Sequence, residues 1–234
     1  MISFTDTESQ QILRQTVREF VANTIAPQDR GWDESSGPLP HLGDELGLYG
    51  LCTESGLSFA DAVVVLQELG FGSGSFAFVI AVHNFADEKT NRSSDRLGCR
   101  AADVSPANQS ARFQVACAAI ALGRARMALQ AATNYAKERQ QFGRALADNQ
   151  AIQFMLADGA TRLDAAELMI ARAAISETET TATMAKQFSI RAAIATCDQA
   201  LQIFGGAGYT REVPVERALR DCKFLERDFG SAHV

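Results

Sequence analysis

Apolar residues recur every three to four positions through the C-terminal half of this 234-residue chain. This spacing matches the 3.6 residues of an α-helical turn and predicts amphipathic helices. Three long segments show it, at residues 112–138, 152–173 and 190–204, and a fourth begins near Pro214, a residue suited to a first helical turn. Long helices joined by short connections predict an antiparallel four-helix bundle over residues 111–234.

The first 85 residues show the same period in shorter stretches. A helix is expected to follow the polar cap around Thr7 and to stop at Pro27. Two segments come next, at 41–51 and 58–70, the second with a helical pattern, and the apolar stretch 75–83 fits either helix or strand. The alternation typical of strands is absent over any useful length of the sequence. The predicted fold class is therefore all-α, with an N-terminal helical region over residues 1–85.

Residues 86–110 differ in composition from both flanking regions. A polar run occupies 87–95, and Gly98, Pro106 and Asn108 interrupt the remainder of the segment. Such punctuation is typical of a linker, and we expect one here.

Composition limits the classes of function. A formal charge of −6 disfavours nucleic acid as a partner, although a local basic pocket for a nucleotide is compatible with it. No apolar run reaches the roughly eighteen residues of a membrane span. The N-terminus lacks the features of a signal peptide, so we expect a cytoplasmic protein. The five cysteines are scattered without a CxxC pair or a neighbouring histidine, and we expect no metal site.

Two sequence motifs in the C-terminal half are much more specific than the helical pattern. The first is YAKERQQFGR at 135–144, continued by NQAIQ at 149–153. The second is QIFGGAGY at 202–209, and the segments EVPVER at 212–217 and RDCK at 220–223 come after it. Together they resemble the ER-x-x-FG, QIFGGxGY, EYPVER and RDA segments of acyl-CoA dehydrogenases. The resemblance covers nearly all of residues 112–231 and extends more weakly over the N-terminal helices.

The resemblance implies a cofactor and the residues that contact it. In that family the arginine and phenylalanine of ER-x-x-FG reach across a dimer interface to the FAD of the neighbouring subunit, as do the glutamine and glycines of QIFGG. The positions implied here are Arg139, Phe142, Gln202, Gly205 and Gly206. An arginine fork suits pyrophosphate oxygens, and paired glycines let backbone N–H groups approach a phosphate. The alternative is that Gly143, Gly205 and Gly206 are only helix C-terminal caps.

The residue that should act as catalytic base does not match the family. Acyl-CoA dehydrogenases remove an α-proton with a glutamate while the flavin accepts a hydride. Alignment without gaps places Phe229 at the usual glutamate position and Phe113 at the position that some members use instead. Asp228 lies one residue away, about 100° around a helix, and could substitute only if the terminal segment were rearranged. Glu226 is expected to be a solvated helix charge.

The family also has a β-domain of roughly a hundred residues, the size of an independent unit, between its helical halves. Only residues 96–105 resemble part of it here, so this chain resembles a short form that lacks most of that domain. Two functions are compatible with these features. One is an FAD-linked oxidoreductase acting on an acyl thioester, degenerate and inactive by itself. The other is a non-catalytic helical interaction protein or partner subunit of a full-length acyl-CoA dehydrogenase.

The resemblance further implies an oligomer, because the family builds dimers and tetramers through this bundle. We expect a homo-oligomer or a complex with a related subunit, with an interface on the helices between Arg112 and Phe204. The small residues at 116–123 would permit close helix contact. The alternative is a compact monomer in which the N-terminal helices cover the apolar face.

Overall fold

The computed structural model describes residues 6–34, 40–44, 46–86 and 110–226. Within these ranges the chain forms eight α-helices, which confirms the all-α class. The N-terminal helices are α1 (Glu8–Phe20), α2 (Asp29–Glu34), α3 (Phe59–Gly72) and α4 (Gly74–Phe85). The bundle helices are α5 (Ala111–Glu138), α6 (Gln150–Ser176), α7 (Glu179–Phe204) and α8 (Pro214–Glu226). Two short strands, β1 (Gln140–Gln141) and β2 (Arg144–Ala145), pair as an antiparallel hairpin between α5 and α6.

Helix α5 is the centre of the molecule. It packs against α7 most extensively, and also against α3, α4, α6 and α8. Residues 115–122 of α5 are almost completely buried. Among the described helices, α5 alone is long and apolar enough to cross a membrane. However, 72% of its most apolar stretch is buried within the chain, as expected for a core helix.

Side-chain caps explain where several helices begin. Thr7 and Gln10 form a reciprocal capping box at α1, and Ser58 and Asp61 form another at α3. Ser110 caps α5 by accepting the Phe113 N–H at 3.1 Å, and its hydroxyl donates to the Phe85 carbonyl at 2.9 Å. The C-terminal end of α4 and the N-terminal end of α5 therefore meet. Residues 87–109, which contain nearly all of the predicted linker, lie outside the described residues.

Two N-terminal segments differ from the structure expected from the sequence, and a third segment, which the sequence left ambiguous, is now assigned. The first helix is α-helical only to Phe20 and continues as a π-helix, Val21–Ile25, before Pro27. Residues 46–55 form turns, in which Gly47 and Gly50 have φ angles of 61° and 100°. Glycine adopts such angles without strain, so these residues favour turns over a helix. The ambiguous stretch 75–83 is helical within α4.

Helices α3 and α5 approach very closely where Gly70 crosses Gly123. A Cβ added at Gly123 would lie 2.2 Å from the Gln67 carbonyl oxygen, and one at Gly70 would lie 2.7 Å from the Ile120 oxygen. The small residues at 116–123 are therefore already in contact with an N-terminal helix of the same chain. The close helix contact expected of these residues is therefore made within the chain, with α3, and their surface is buried.

A buried charge cluster connects the N-terminal helices to the bundle. Arg124 of α5 is 1% exposed, and its Nη2 lies 3.5 Å from Asp29 Oδ2 of α2. Its Nε lies 2.9 Å from Asp221 Oδ2 of α8, without the alignment of a hydrogen bond. Arg217 Nε of α8 donates to the same Asp29 oxygen at 2.7 Å. Removing one partner from a buried ion cluster typically costs about 3–5 kcal/mol, so this cluster holds α2, α5 and α8 together.

Substituting Gly123→Ala should destabilise the fold, because its methyl group would overlap the backbone of α3. We expect the free energy of unfolding to fall by about 2–4 kcal/mol, as for overpacked core sites. The matched control is Gly31→Ala in α2, where an added Cβ meets no described atom within 4 Å. That variant should be neutral or stabilised by up to about 1 kcal/mol. Urea unfolding followed by circular dichroism would measure both, and equal stabilities would contradict the close crossing.

The pH dependence of unfolding should report on Asp221. Burial raises the pKa of its carboxyl to about 6 from 3.8, with the Arg124 charge opposing the shift. A group whose folded-state pKa is raised stabilises the fold below its unfolded pKa, and that stabilisation is lost as pH rises through the folded value. Deprotonation of Asp221 should therefore lower the free energy of unfolding by on the order of 2–3 kcal/mol between about pH 4 and pH 6.

The comparison with Asp221→Asn isolates this contribution. The difference in unfolding free energy between wild type and this variant should change over that pH window in favour of the variant. Asp198→Asn, an exposed carboxyl without an ion pair among the described residues, should show no such change. A constant difference for Asp221→Asn would contradict the raised pKa.

Candidate functional site

The two motifs of the C-terminal half meet at one end of the bundle. Tyr135, near the end of α5, stacks on Phe204, the last residue of α7, with ring centroids 4.3 Å apart and an interplanar angle of 21°. Tyr135 stands four residues before Arg139, and Phe204 directly precedes Gly205. The five positions implied by the family resemblance therefore lie at the same end of the bundle.

The hairpin places Arg139 and Phe142 in solvent. Arg139 ends α5, with its N–H donating to the Tyr135 carbonyl at 2.8 Å and its carbonyl accepting from Leu146 N–H at 2.9 Å. Its side chain is exposed and forms no ion pair with the described residues. Phe142 is completely exposed at the tip of the hairpin turn. Both side chains are therefore available to contact a molecule outside this chain.

The backbone of Phe142 is unusual for its residue type. Phe142 and Gly143 have φ angles of 53° and 79°, which is the geometry of a two-residue type I′ turn. Such turns favour Asn-Gly or Asp-Gly, because a bulky side chain at positive φ costs roughly 1–3 kcal/mol. A fully exposed phenylalanine gains nothing from the core in return. The folding of this chain does not account for phenylalanine at this position.

The glycines after α7 have different roles. Gly205 caps α7 with φ 62° and ψ −137°, a conformation that favours glycine, so the cap interpretation holds for this residue. Gly208 is needed for packing, since an added Cβ would lie 2.6 Å from the Leu201 oxygen. Gly206 has neither requirement: its φ is not positive, and an added Cβ would meet no described atom within 4 Å. The open surface at Gly206 is compatible with the approach of a ligand.

Gln202 is exposed on the last turn of α7. Its amide Nε2 donates to the Tyr209 hydroxyl at 3.3 Å, and Tyr209 is 66% exposed. Sequence reasoning did not select Tyr209, although it ends the QIFGGAGY motif. Through its contact with Gln202, Tyr209 joins the five implied positions as a further exposed residue of the candidate site.

Together these residues could hold part of a dinucleotide. Arg139 offers an exposed guanidinium fork for a phosphate, Phe142 an exposed ring for stacking, and Gln202 an amide. The surface is open rather than enclosed, so it would contact one side of FAD and leave the rest to another surface. These groups are of the kinds that the family resemblance implies for one side of an FAD site.

Phe113, which the family resemblance aligns with a base position at the start of α5, is a buried aromatic residue. Phe113 is 1% exposed, and its ring centroid lies 6.1 Å from that of Phe78 on α4. Phe78 in turn lies 5.0 Å from Phe224 on α8. Phe229 and Asp228 lie outside the described residues. Glu226, the last residue of α8, is exposed and pairs with Lys223 at 3.0 Å.

A large cleft lies elsewhere, between α1, α3, α5 and α6. It has a volume of about 890 Å³. Three arginines along it are bound to acidic side chains of the same chain. Arg14 and Arg18 contact Glu68 at 2.8 and 3.0 Å, and Arg126 contacts Glu167 at 2.6 Å. Its described lining includes none of the five implied cofactor positions.

Comparison with known proteins agrees with the motifs. The family model described as "Acyl-CoA dehydrogenase, C-terminal domain" matches residues 109–234, and that described as "Acyl-CoA dehydrogenase, N-terminal domain" matches residues 7–88. Only residues 89–108 lie between the two matches.

Among curated proteins, an acyl-CoA dehydrogenase of Bacillus subtilis is 48% identical over 126 residues, 52% of this chain and 33% of that protein. The probable acyl-CoA dehydrogenase YngJ of the same organism is 43% identical over 126 residues, with the same shares of each chain. A 3-sulfinopropanoyl-CoA desulfinase of Paraburkholderia xenovorans is 42% identical over 125 residues, 52% of this chain and 32% of that protein. The matched stretch thus spans about a third of each of these relatives.

The fold has close matches among solved structures. Butyryl-CoA dehydrogenase from Megasphaera elsdenii superimposes with a TM-score of 0.80 at 19% identity, covering 98% of this chain and 96% of that one. A glutaryl-CoA dehydrogenase from Mycobacterium smegmatis in complex with FADH2 gives 0.80 at 15% identity, covering 97% and 92%. The fold, the two motifs at one end of the bundle and a family model that matches more than half of the residues agree: this chain belongs to the acyl-CoA dehydrogenase family.

Proposed function

We propose that this chain supplies the helical half of an FAD site and does not dehydrogenate acyl-CoA by itself. The observation that carries the proposal is Phe142, a fully exposed phenylalanine held at positive φ. Because neither the turn nor the core benefits from this side chain, its role is to contact something outside the chain. Strain of this kind is common at ligand-binding sites.

Arg139 and Gly206 support the same interpretation. The exposed Arg139 guanidinium is available for the pyrophosphate of FAD, and Gly206 leaves its backbone accessible at the same end of the bundle. FAD would supply the hydride chemistry when bound, whereas these residues would orient it and balance its charge. All of them lie on an open surface, so the remaining contacts to FAD would come from another subunit.

Phe113 supports the absence of independent catalysis. Its ring is buried in the aromatic cluster with Phe78 and Phe224, so this position at the start of α5 presents no carboxylate to a substrate. Proton abstraction from an acyl thioester requires a base within hydrogen-bonding distance. The relatives act on CoA thioesters according to their names, which supports an acyl thioester as the substrate class of a completed site.

The second candidate is a purely non-catalytic partner subunit of a full-length acyl-CoA dehydrogenase. The buried Phe113 favours it, since the chain retains the fold while one base position is apolar. In this role the chain would form the oligomer without turnover of its own. For both candidates we expect a cytoplasmic protein, in a homo-oligomer or with a related subunit.

The isolated chain should show no acyl-CoA dehydrogenase activity, even with added FAD. The assay would measure reduction of an artificial electron acceptor with saturated acyl-CoA substrates, with a full-length relative assayed in parallel. Phe229→Glu should also remain inactive, because a restored base does not restore the walls that the β-domain supplies in the family. Turnover that disappears in Asp228→Asn would overturn the proposal and assign the base to Asp228.

FAD should bind weakly to the isolated chain, because only half of its contacts are present. In a titration monitored by flavin fluorescence, Arg139→Ala should weaken binding by about 1.5–3 kcal/mol, the value of a charge-assisted contact. Gly206→Ala should weaken it without lowering thermal stability. Arg191→Ala, an exposed arginine without an ion pair among the described residues, is the control and should change neither. Stoichiometric FAD that survives dialysis would show that the site is complete in one chain.

A further inference from the structure

The large cleft between α1, α3, α5 and α6 contains hydrogen-bond donors that no described residue satisfies. Gln67 of α3 lines this cleft and is 5% exposed. Its Oε1 accepts from Arg14 Nη1 at 3.2 Å, whereas its Nε2 has no acceptor among the described residues. Because the polar groups of buried side chains normally have partners, this amide marks a position for an acceptor from outside the chain.

Two arginines of the cleft offer further donors. Arg18 of α1 binds Glu68 through Nε and Nη2, at 3.1 and 3.0 Å, which leaves its Nη1 without an acceptor in the described part of the chain. Arg126 of α5 binds Glu167 through Nη2 alone, at 2.6 Å. Arg14 lies between these pairs, 2.8 Å from Glu68 and 3.9 Å from Glu167. The donors that remain are therefore grouped around one guanidinium, where an anionic ligand would accept from them.

The charged side chains of the cleft favour a ligand with a single negative charge. Three arginines and three carboxylates are among its described lining residues, namely Arg14, Arg18, Arg126, Asp6, Glu68 and Glu167. Each carboxylate already accepts a hydrogen bond from one of these arginines, so a cationic ligand gains little there. The same carboxylates repel a dianion such as phosphate more strongly than a monoanion. A carboxylate carries one charge and matches the planar fork of a guanidinium.

A small apolar cleft adjoins the large one. Its volume is about 80 Å³, and both clefts are lined by Gln67 and Glu167. Most of the remaining lining comes from apolar side chains of α3 and α6, which are Ala60, Val63, Val64, Ala171, Ala174 and Ile175. A short hydrocarbon chain attached to a group bound at Gln67 would enter this space. Binding sites for small molecules commonly combine apolar walls with a few polar groups in this way.

We propose that the large cleft binds a small organic carboxylate. The carboxylate accepts from Gln67 Nε2, Arg18 and Arg126, and its short apolar chain lies in the small cleft between α3 and α6. Because the donors come from α1, α3 and α5, the bound ligand connects the N-terminal helices to the bundle. The site is separate from the FAD half-site, since its described lining includes none of the five implied cofactor positions.

A titration with sodium butyrate, followed by nuclear magnetic resonance of the side-chain amides, tests the site. The Gln67 amide signals should shift and saturate, with a dissociation constant on the order of 1 mM. Saturating butyrate should also raise the melting temperature, because it binds only the folded chain. Acetate should bind about tenfold more weakly, because it lacks two methylene groups. Butylamine, which carries the opposite charge on an apolar chain, and inorganic phosphate should shift these signals less at equal concentration.

Substitutions separate the charged end of the site from its apolar end. Arg18→Gln and Arg126→Gln should each raise the butyrate dissociation constant by at least about tenfold, the effect of losing a charge-assisted contact. Arg30→Gln is the matched control, an exposed arginine paired with Glu34 at 3.2 Å away from the cleft, and should leave binding unchanged. Ala171→Leu should fill the small cleft, so that butyrate binds no better than acetate.

Several outcomes would overturn the proposal. One is the absence of a saturable Gln67 shift, which would leave the cleft to water alone. Another is an equal shift with butylamine, and a third is unchanged butyrate affinity in folded Arg18→Gln and Arg126→Gln variants. Full butyrate affinity in Ala171→Leu would contradict the placement of the apolar chain. Arg139→Ala should weaken flavin binding without changing butyrate binding, so the two sites can fail independently.

Discussion

The buried guanidinium of Arg124 is the interaction on which the arrangement of the helices depends. It lies in the middle of the central helix, at 1% exposure, where an unpaired charge would be strongly destabilising. Its acidic partners come from opposite ends of the chain, Asp29 in α2 and Asp221 in α8. Because Arg217 binds the same Asp29, the last helix is fixed to the N-terminal region as well as to α5. The N-terminal helices and the bundle consequently share one core.

The close contact between α3 and α5 complements this charge cluster. Glycines at the crossing allow backbone to approach backbone, and the Arg124 guanidinium lies one residue beyond Gly123, with its Nη1 3.4 Å from the Gly72 carbonyl. The charge can be buried there because the surrounding helices are close enough to supply its partners. Packing and electrostatics therefore support each other at a single place.

The helical period predicted the bundle well, because each long helix buries one continuous face in the core. The sequence alone could not identify the partner of residues 116–123, since small residues look the same whether they meet a helix of the same chain or of another. The pairing of Arg124 with Asp29, 95 residues away, has no local signal either. At the candidate site, the motifs indicated the five positions. Only the backbone angles separated Gly205, which the fold requires, from Gly206 and Phe142, which it does not explain.

The contact between Phe85 and Ser110 explains how such a chain can keep its fold without a middle domain. Because the Ser110 hydroxyl bonds to the Phe85 carbonyl, the chain leaves α4 and begins α5 at the same place. Because the two helix ends already meet there, a domain inserted at this junction, or removed from it, need not change how the helices pack. Phe113 lies three residues beyond that junction, and its ring packs against Phe78 of α4. The aromatic ring at this position therefore contributes to the core that joins α4, α5 and α8.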